Sequence, residues 1–149
     1  MPIQFKMIDI KRIDIIDEDV VDAFKVLIAQ LTEKDQYPSK EDLESIVSSE
    51  LNHLFVAKDE NGKIVGSMTL VLYRIPTGFK GMIEDVVVDH NARGKGVATS
   101  LINHAIETAR KCGAYKLELT SRPARIAANK MYLKMGFELR DTNFYRLDL

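Results

Sequence analysis

The run from Met82 to Ala105 limits the possible folds more than any other part of the chain. Ile83, Val86, Val87 and Val88 are strong β-formers, and three β-branched residues in succession suit a strand covered on both faces. The polar turn Asp89-His90-Asn91-Ala92 follows, then Arg93-Gly94-Lys95-Gly96, and a helix begins at once. Val97, Leu101 and Ala105 recur four apart with Ala98, Ile102 and Ala109 beside them, which gives one apolar helical face. A strand that passes through a glycine turn into a helix leaves unpaired N–H donors at the helix N-terminus, where the dipole favours an anion. Gly94 and Gly96 permit close approach to the backbone, and Arg93 and Lys95 add positive charge at the same place.

Two well-known phosphate loops are excluded by spacing. A Walker loop needs Ser or Thr after its lysine, and Lys95 is followed by Gly96. A dinucleotide fingerprint needs three glycines, and only Gly94-x-Gly96 is present. What remains is Arg93-x-x-Gly96-x-Ala98 behind a valine-rich strand. It resembles the acyl-CoA pyrophosphate loop of the GNAT superfamily of N-acetyltransferases, whose pattern is Arg/Gln-x-x-Gly-x-Gly/Ala. A tight strand-to-helix turn, with glycines for geometry alone, is the bland alternative.

At 149 residues the chain is expected to be a single domain, 1–149, with a real core. No apolar run reaches the roughly 18 residues of a membrane span. The opening residues lack a signal-peptide pattern, and the lone Cys112 excludes an intrachain disulfide. These features suggest a cytoplasmic protein without a membrane role, and no spacing of His, Cys, Asp or Glu suggests a metal site. A net charge of −1 gives no support to nucleic-acid binding. The charge is uneven, however. Residues 1–75 carry 9 Lys/Arg against 14 Asp/Glu, and residues 76–149 carry 12 against 8, so the half with the glycine loop is the basic one.

Periodicity and turn residues divide the chain as follows. Residues 5–13 read as a strand, Asp17 to Leu31 as a helix with acids in its first turn, and the stretch from Ser39 as a second helix with Ser39 and Asp42 in a capping-box arrangement. Strands His53 to Lys58 and Lys63 to Ile75 flank a turn with Asn61-Gly62 at its tip. Gly66 within the second of these marks a bulge or close packing. The central strand and helix come next, the helix ending near Cys112 with Gly113 as its left-handed stop. Tyr115 to Thr120 reads as a short strand, Ala124 to Met135 as a helix stopped by Gly136, and Phe137 to Arg140 with Phe144 to Leu147 as a terminal hairpin. The order β-α-α-β-β-β-α-β-α-β-β implies an α/β (α+β) domain with a mixed sheet flanked by helices.

This order is similar to the GNAT fold, whose sheet is mostly antiparallel. A second anchor is the run from Asn129 through Tyr132 to Gly136 and Phe137, which resembles the family's Asn-x-x-(Phe/Leu)Tyr-x-x-x-Gly-Phe segment. Ile83 to Asp89 is similar to the glucosamine-phosphate N-acetyltransferase branch. The resemblance implies an acetyl-CoA-dependent N-acetyltransferase that moves acetyl to a primary amine of a small molecule by direct attack. It implies cofactor contacts from Val86, Val87 and Val88 through their backbone, from Arg93, Gly94, Lys95, Gly96, Val97, Ala98 and Thr99, and from Asn129, Tyr132 and Lys134. Tyr132 falls at the family's general-acid position, where a phenol donates to the leaving thiolate.

Glu84 is the preferred base for the amine, directly or through water. Simple strand alternation puts Glu84 and Asp85 on opposite faces, so only one would face the amine. Cys112 reads as a small, partly buried hydrophobe, and Ile126, Met131 and Met135 read as core. The short apolar strand Phe144 to Leu147 is an edge that invites pairing, which suggests a homodimer. A non-catalytic acyl-CoA-binding module and a peptide N-acetyltransferase are the alternatives, since fold and loop alone do not separate them.

Overall fold

The computed structural model describes residues 7–149, so the beginning of the first expected strand, Phe5 included, lies outside the described residues. Two compact units are present, one ending at Leu119 and the other running from Thr120 to Leu149.

The first unit is built on five strands in sequential order. They are β1 (Asp9–Arg12), β2 (Asn52–Lys58), β3 (Ile64–Ile75), β4 (Gly78–Val88) and β5 (Leu117–Glu118). The first four pair antiparallel, and β5 joins β4 in parallel. Helices α1 (Glu18–Thr32) and α2 (Lys40–Val47) follow β1, and α3 (Val97–Lys111) makes the crossover from β4 to β5. In the second unit, α4 (Ile126–Lys134) is the one regular element. Through α4 the element order is the one the sequence predicts.

The helix ends follow from local chemistry. Asp17 caps α1 by accepting from the Val20 N–H at 2.9 Å. Ser39 and Asp42 exchange reciprocal bonds of 2.9 and 3.0 Å at the start of α2. At the end of α3, Gly113 N–H donates to Arg110 and Ala114 N–H to Ala109. Gly113, at φ 86°, supplies the left-handed residue that this closing motif requires.

The two faces of the sheet carry different helices. On one, Leu54 and Val56 pack with Ile16, Val20, Val21, Phe24 and Leu43 from the α1 and α2 region. On the other, Phe55 meets His104 of α3 edge-on at 4.9 Å, as strand alternation requires. Gly66 explains how close α3 comes: a Cβ there would lie 3.0 Å from Val97 Cγ1 and 3.3 Å from Leu101 Cδ1. Leu101 is fully buried. Leu101→Ala is expected to cost about 2–5 kcal/mol of unfolding free energy, read from the urea midpoint at constant slope. A loss within ~0.5 kcal/mol, the range of an ordinary surface site, would mean that α3 is not seated on the sheet as described.

Some expectations need correction. Residues 137–149 contain no strand, so the terminal hairpin is absent from the described structure. A lone two-stranded hairpin is marginal in water, and the Asp141-Thr142-Asn143 turn has no glycine to support a tight primed turn. Cys112 is exposed, at the C-cap of α3 and beyond the helix's last buried residue, Ala109. Ile126 is 64% exposed and is not core. Among the described residues no helix is long and apolar enough to cross a membrane.

Candidate functional site

Strand β4 departs from regular sheet pairing on both of its sides. Its parallel neighbour β5 matches only Gly81 with Leu117 and Met82 with Glu118. From Ile83 to Val88, therefore, β4 has β3 on one side and no ladder partner among the described residues on the other. An edge of unpaired N–H and C=O groups is a template for any extended ligand that carries amides. Val86 and Val88 on this stretch are half-buried and Val87 is buried, so their backbone rather than their side chains is what they can offer.

The ladder on the β3 side is also interrupted. Ser67 pairs with Val87, but Thr69 pairs with Glu84. Two steps on β3 thus face three on β4, which is a β-bulge. Asp85 sits in it with φ 51°, in the left-handed region. The sequence-based expectation that Glu84 and Asp85 face opposite ways fails here. Directly paired residues share a face, so Glu84 lies on the face of Thr69. Asp85 lines a cleft with Thr69 on that same face. The extra residue absorbs the alternation and sets two carboxylates side by side. Partial burial and then the neighbouring charge of Asp85 raise the Glu84 carboxyl above its ordinary value of 4.5.

Beyond Val88 the chain enters the glycine loop. Asp89 is buried and anchored, its N–H donating to Val65 O at 2.8 Å. Its carboxylate accepts from the Asn91 N–H at 2.9 Å and holds the single 3-10 turn His90–Ala92. The His90 N–H donates to Gln30 Oε1 at 3.0 Å, tying the turn to α1. Arg93 is extended, and Gly94 and Gly96 have φ 75° and 78°. Gly96 is the N-cap of α3, and no side chain caps that helix. The N–H groups of Val97 and Ala98 therefore open toward an anion at the positive end of a fifteen-residue helix. A Cβ built on Gly94 or Gly96 meets nothing within 4 Å, so open space lies before the loop. Arg93 and Lys95 are exposed beside it, and the Lys95 ammonium donates to Asn91 O at 3.4 Å. Thr99 is exposed on the first turn of α3.

The second unit explains its own motif. Gly136, at φ 100°, stops α4; its N–H donates to Leu133 O, and the Phe137 N–H donates to Tyr132 O at 3.0 Å. This closure folds Phe137 back onto Tyr132, ring centroids 5.9 Å apart at 70°. Tyr132 is buried, which raises its phenol above the usual 10.0, while the charge of Arg125 opposes the shift. The Asn129 side-chain amide donates to Arg122 O at 2.9 Å and braces the turn into α4. Lys134 is exposed in the last turn of α4. Of the predicted residues, the structure brings Glu84, Val86 to Val88 and Arg93 to Thr99 onto one continuous edge and loop, and gathers Asn129, Tyr132 and Lys134 on α4. Asp85, which alternation along the strand sets on the face away from Glu84, is instead brought to the face of Glu84 and Thr69.

The sequence matches the model of the acetyltransferase (GNAT) family over residues 18–137. Over 91 residues it is 38% identical to a glucosamine 6-phosphate N-acetyltransferase of Trypanosoma brucei brucei, covering 59% of this chain and 59% of that protein. Over 87 residues it is 30% identical to an L-methionine sulfoximine/L-methionine sulfone acetyltransferase of Pseudomonas aeruginosa, covering 58% of this chain and 51% of that protein. The matches thus span between about half and three fifths of these relatives' length. The crystal structure of an acetyltransferase from Trypanosoma brucei superposes with a TM-score of 0.76 at 29% identity, over 96% of this chain and 100% of the other. That of glucosamine-6-phosphate N-acetyltransferase from Arabidopsis thaliana gives 0.80 at 24% identity, over 95% and 99%, a likeness of fold.

Proposed function

Because this chain belongs to the acetyltransferase (GNAT) family, we propose that it is an acetyl-CoA-dependent N-acetyltransferase acting on a primary amine of a small molecule by direct attack. The observation that carries this reading is the unpaired edge of β4 leading into the uncapped, glycine-lined N-terminus of α3. The residues fit the cofactor's chemistry: amides along a strand edge for an amide-bearing arm, and helix N–H groups with two cations for a pyrophosphate. The relatives' names point to small-molecule acceptors. The family match runs through both compact units, which supports treating 1–149 as one acetyltransferase domain.

When bound, acetyl-CoA supplies a thioester carbonyl and a thiol leaving group. The backbone of Val86, Val87 and Val88 holds the arm, and Arg93 to Thr99 hold the phosphates. Asn129, Tyr132 and Lys134 are assigned further cofactor contacts on the strength of their motif. Glu84 takes a proton from the acceptor ammonium so that the nitrogen lone pair is free. Tyr132 donates a hydrogen bond to the departing sulfur. A cytoplasmic location and a homodimer complete the reading. The dimer is supported by exposed Phe144, Tyr145 and Leu147 and no longer by an edge strand.

Thiol release from acetyl-CoA, measured against amino sugars, amino acids, polyamines and peptide N-termini, tests the reading. Activity with peptides alone would replace the small-molecule acceptor, and cofactor binding without release to any amine would make the chain a binding module. A base must be ionised to work, and the Glu84 carboxyl is raised. The acidic limb of kcat/KM is therefore expected above pH 4.5 and should vanish in Glu84→Gln. An unchanged limb in that variant would assign the base elsewhere. The same shift costs stability once Glu84 ionises. The folded state holds that proton more tightly, so stability falls as pH rises through the raised value.

A further inference from the structure

The bulge that sets Glu84 beside Asp85 opens on a cleft of about 150 Å³ between the sheet and the first two helices. Its walls are apolar: Phe24 and Ile28 from α1, Pro38 before α2, Leu43 and Ile46 from α2, and Leu54 from β2. Ser67, Thr69 and Asp85 are the polar groups that line it, with no Lys, Arg or His. The Ser67 hydroxyl is already committed, donating to Phe55 O at 2.9 Å. Asp85 has no ion pair among the described residues, and its charge acts on the like-charged Glu84 beside it.

Asp85 is also held at a backbone cost. Apart from Glu33, which closes α1, it is the one described residue other than glycine with positive φ. Such strain costs on the order of 1–3 kcal/mol and persists where the surroundings over-determine it. Asp85 is exposed, so water can solvate its carboxylate, and at the edge of the apolar cleft it is open to a cation arriving from solvent.

We infer that this cleft is the acceptor subsite, that Asp85 anchors the acceptor's ammonium there, and that the acceptor is a primary amine on an uncharged apolar body. The inference rests on the acetyl-transfer reading and adds to it the substrate class. An ammonium at Asp85 lies beside Glu84, which is placed to receive its proton, while the six apolar side chains bury the carbon body. The cleft has room for a ring or a short aliphatic chain in place of several waters. An acceptor with a phosphate or carboxylate finds no cation lining this cleft and meets the like charge of Asp85. The pocket therefore departs from the sugar phosphate in the name of the Trypanosoma brucei brucei relative.

The test uses 2-phenylethylamine as probe, titrated calorimetrically into the full chain with and without coenzyme A. Binding is expected, with glucosamine 6-phosphate at least tenfold weaker. Asp85→Asn and Asp85→Gly both keep a residue tolerant of the left-handed backbone. Each is expected to weaken the amine at least tenfold, with coenzyme A affinity and melting temperature no lower than in the parent. Amine affinity that survives in both variants would leave Asp85 a purely structural residue of the bulge and overturn the inference. Preference for glucosamine 6-phosphate would overturn the substrate class. Failure of the transferase reading shows separately: amine binding that depends on Asp85, without thiol release from acetyl-CoA for any amine, sustains the subsite and removes the reaction.

Discussion

Tyr132→Phe is expected to lower kcat by about a hundredfold while acetyl-CoA affinity stays nearly intact. An ordinary phenol has a pKa of about 10 and a thiol about 8.5. Full proton transfer from one to the other in water is thus uphill by about 1.5 units, or roughly 2 kcal/mol. Burial of Tyr132 raises the phenol further, with the Arg125 charge only opposing the shift. Tyr132 therefore keeps its proton through the neutral range and acts best as a hydrogen-bond donor to sulfur as charge develops there. Such a bond strengthens in the transition state, which is why its loss belongs in kcat rather than in ground-state binding. The ring itself packs edge-on against Phe137 at 5.9 Å, so phenylalanine preserves the packing and removes only the hydroxyl. Steady-state kinetics with a turned-over amine, alongside cofactor titration, decides the matter. Wild-type kcat would remove Tyr132 from the mechanism, and lost cofactor binding would make it a packing residue.

Gly96→Val is expected to weaken acetyl-CoA binding by more than tenfold, about 1.4 kcal/mol. Gly96 has φ 78° at the N-cap of α3. A β-branched residue is a genuine outlier in that region, so the loop must rearrange and carry the first-turn N–H groups out of line. The new side chain would meet no protein atom within 4 Å of its Cβ, so it projects into the space assigned to phosphate oxygens. Gly96→Ala separates the two effects. It carries the smaller left-handed penalty, of about 1–2 kcal/mol, but still places a methyl group before the loop. Calorimetric titration of acetyl-CoA, with thermal unfolding as the control for folding, is the measurement. Undiminished affinity in a folded Gly96→Val protein would remove the phosphate-loop reading.

Much of this protein is legible in sequence because the relevant forces act over a few residues. The buried face of α3, Val97 through Ala109, follows from the spacing of its apolar side chains. The Ser39–Asp42 box and the stops at Gly113 and Gly136 follow from which groups can satisfy a helix end within one turn. The glycine loop is legible for the same reason: a strand, two residues free to take positive φ and an amphipathic helix fix an exposed helix N-terminus by themselves.

Tertiary structure decided the remainder. Alternation along β4 puts Glu84 and Asp85 on opposite faces, and only the register against Ser67 and Thr69 shows that β4 carries one extra residue between Glu84 and Val87. No local propensity announces that insertion, because aspartate visits the left-handed region in many turns and only the pairing on either side of it makes a bulge. The length of β5, two residues rather than the six its composition suggested, leaves the β4 edge open, and it depends on what lies beside each strand. The terminal hairpin failed for a related reason: alternating apolar residues propose a strand, but a strand forms only where a partner takes up its backbone hydrogen bonds. The cleft at Asp85 draws on α1, α2, β2, β3 and β4 together. Its lining comes from residues as far apart as Phe24 and Asp85, so it exists only once the helices have packed on the sheet.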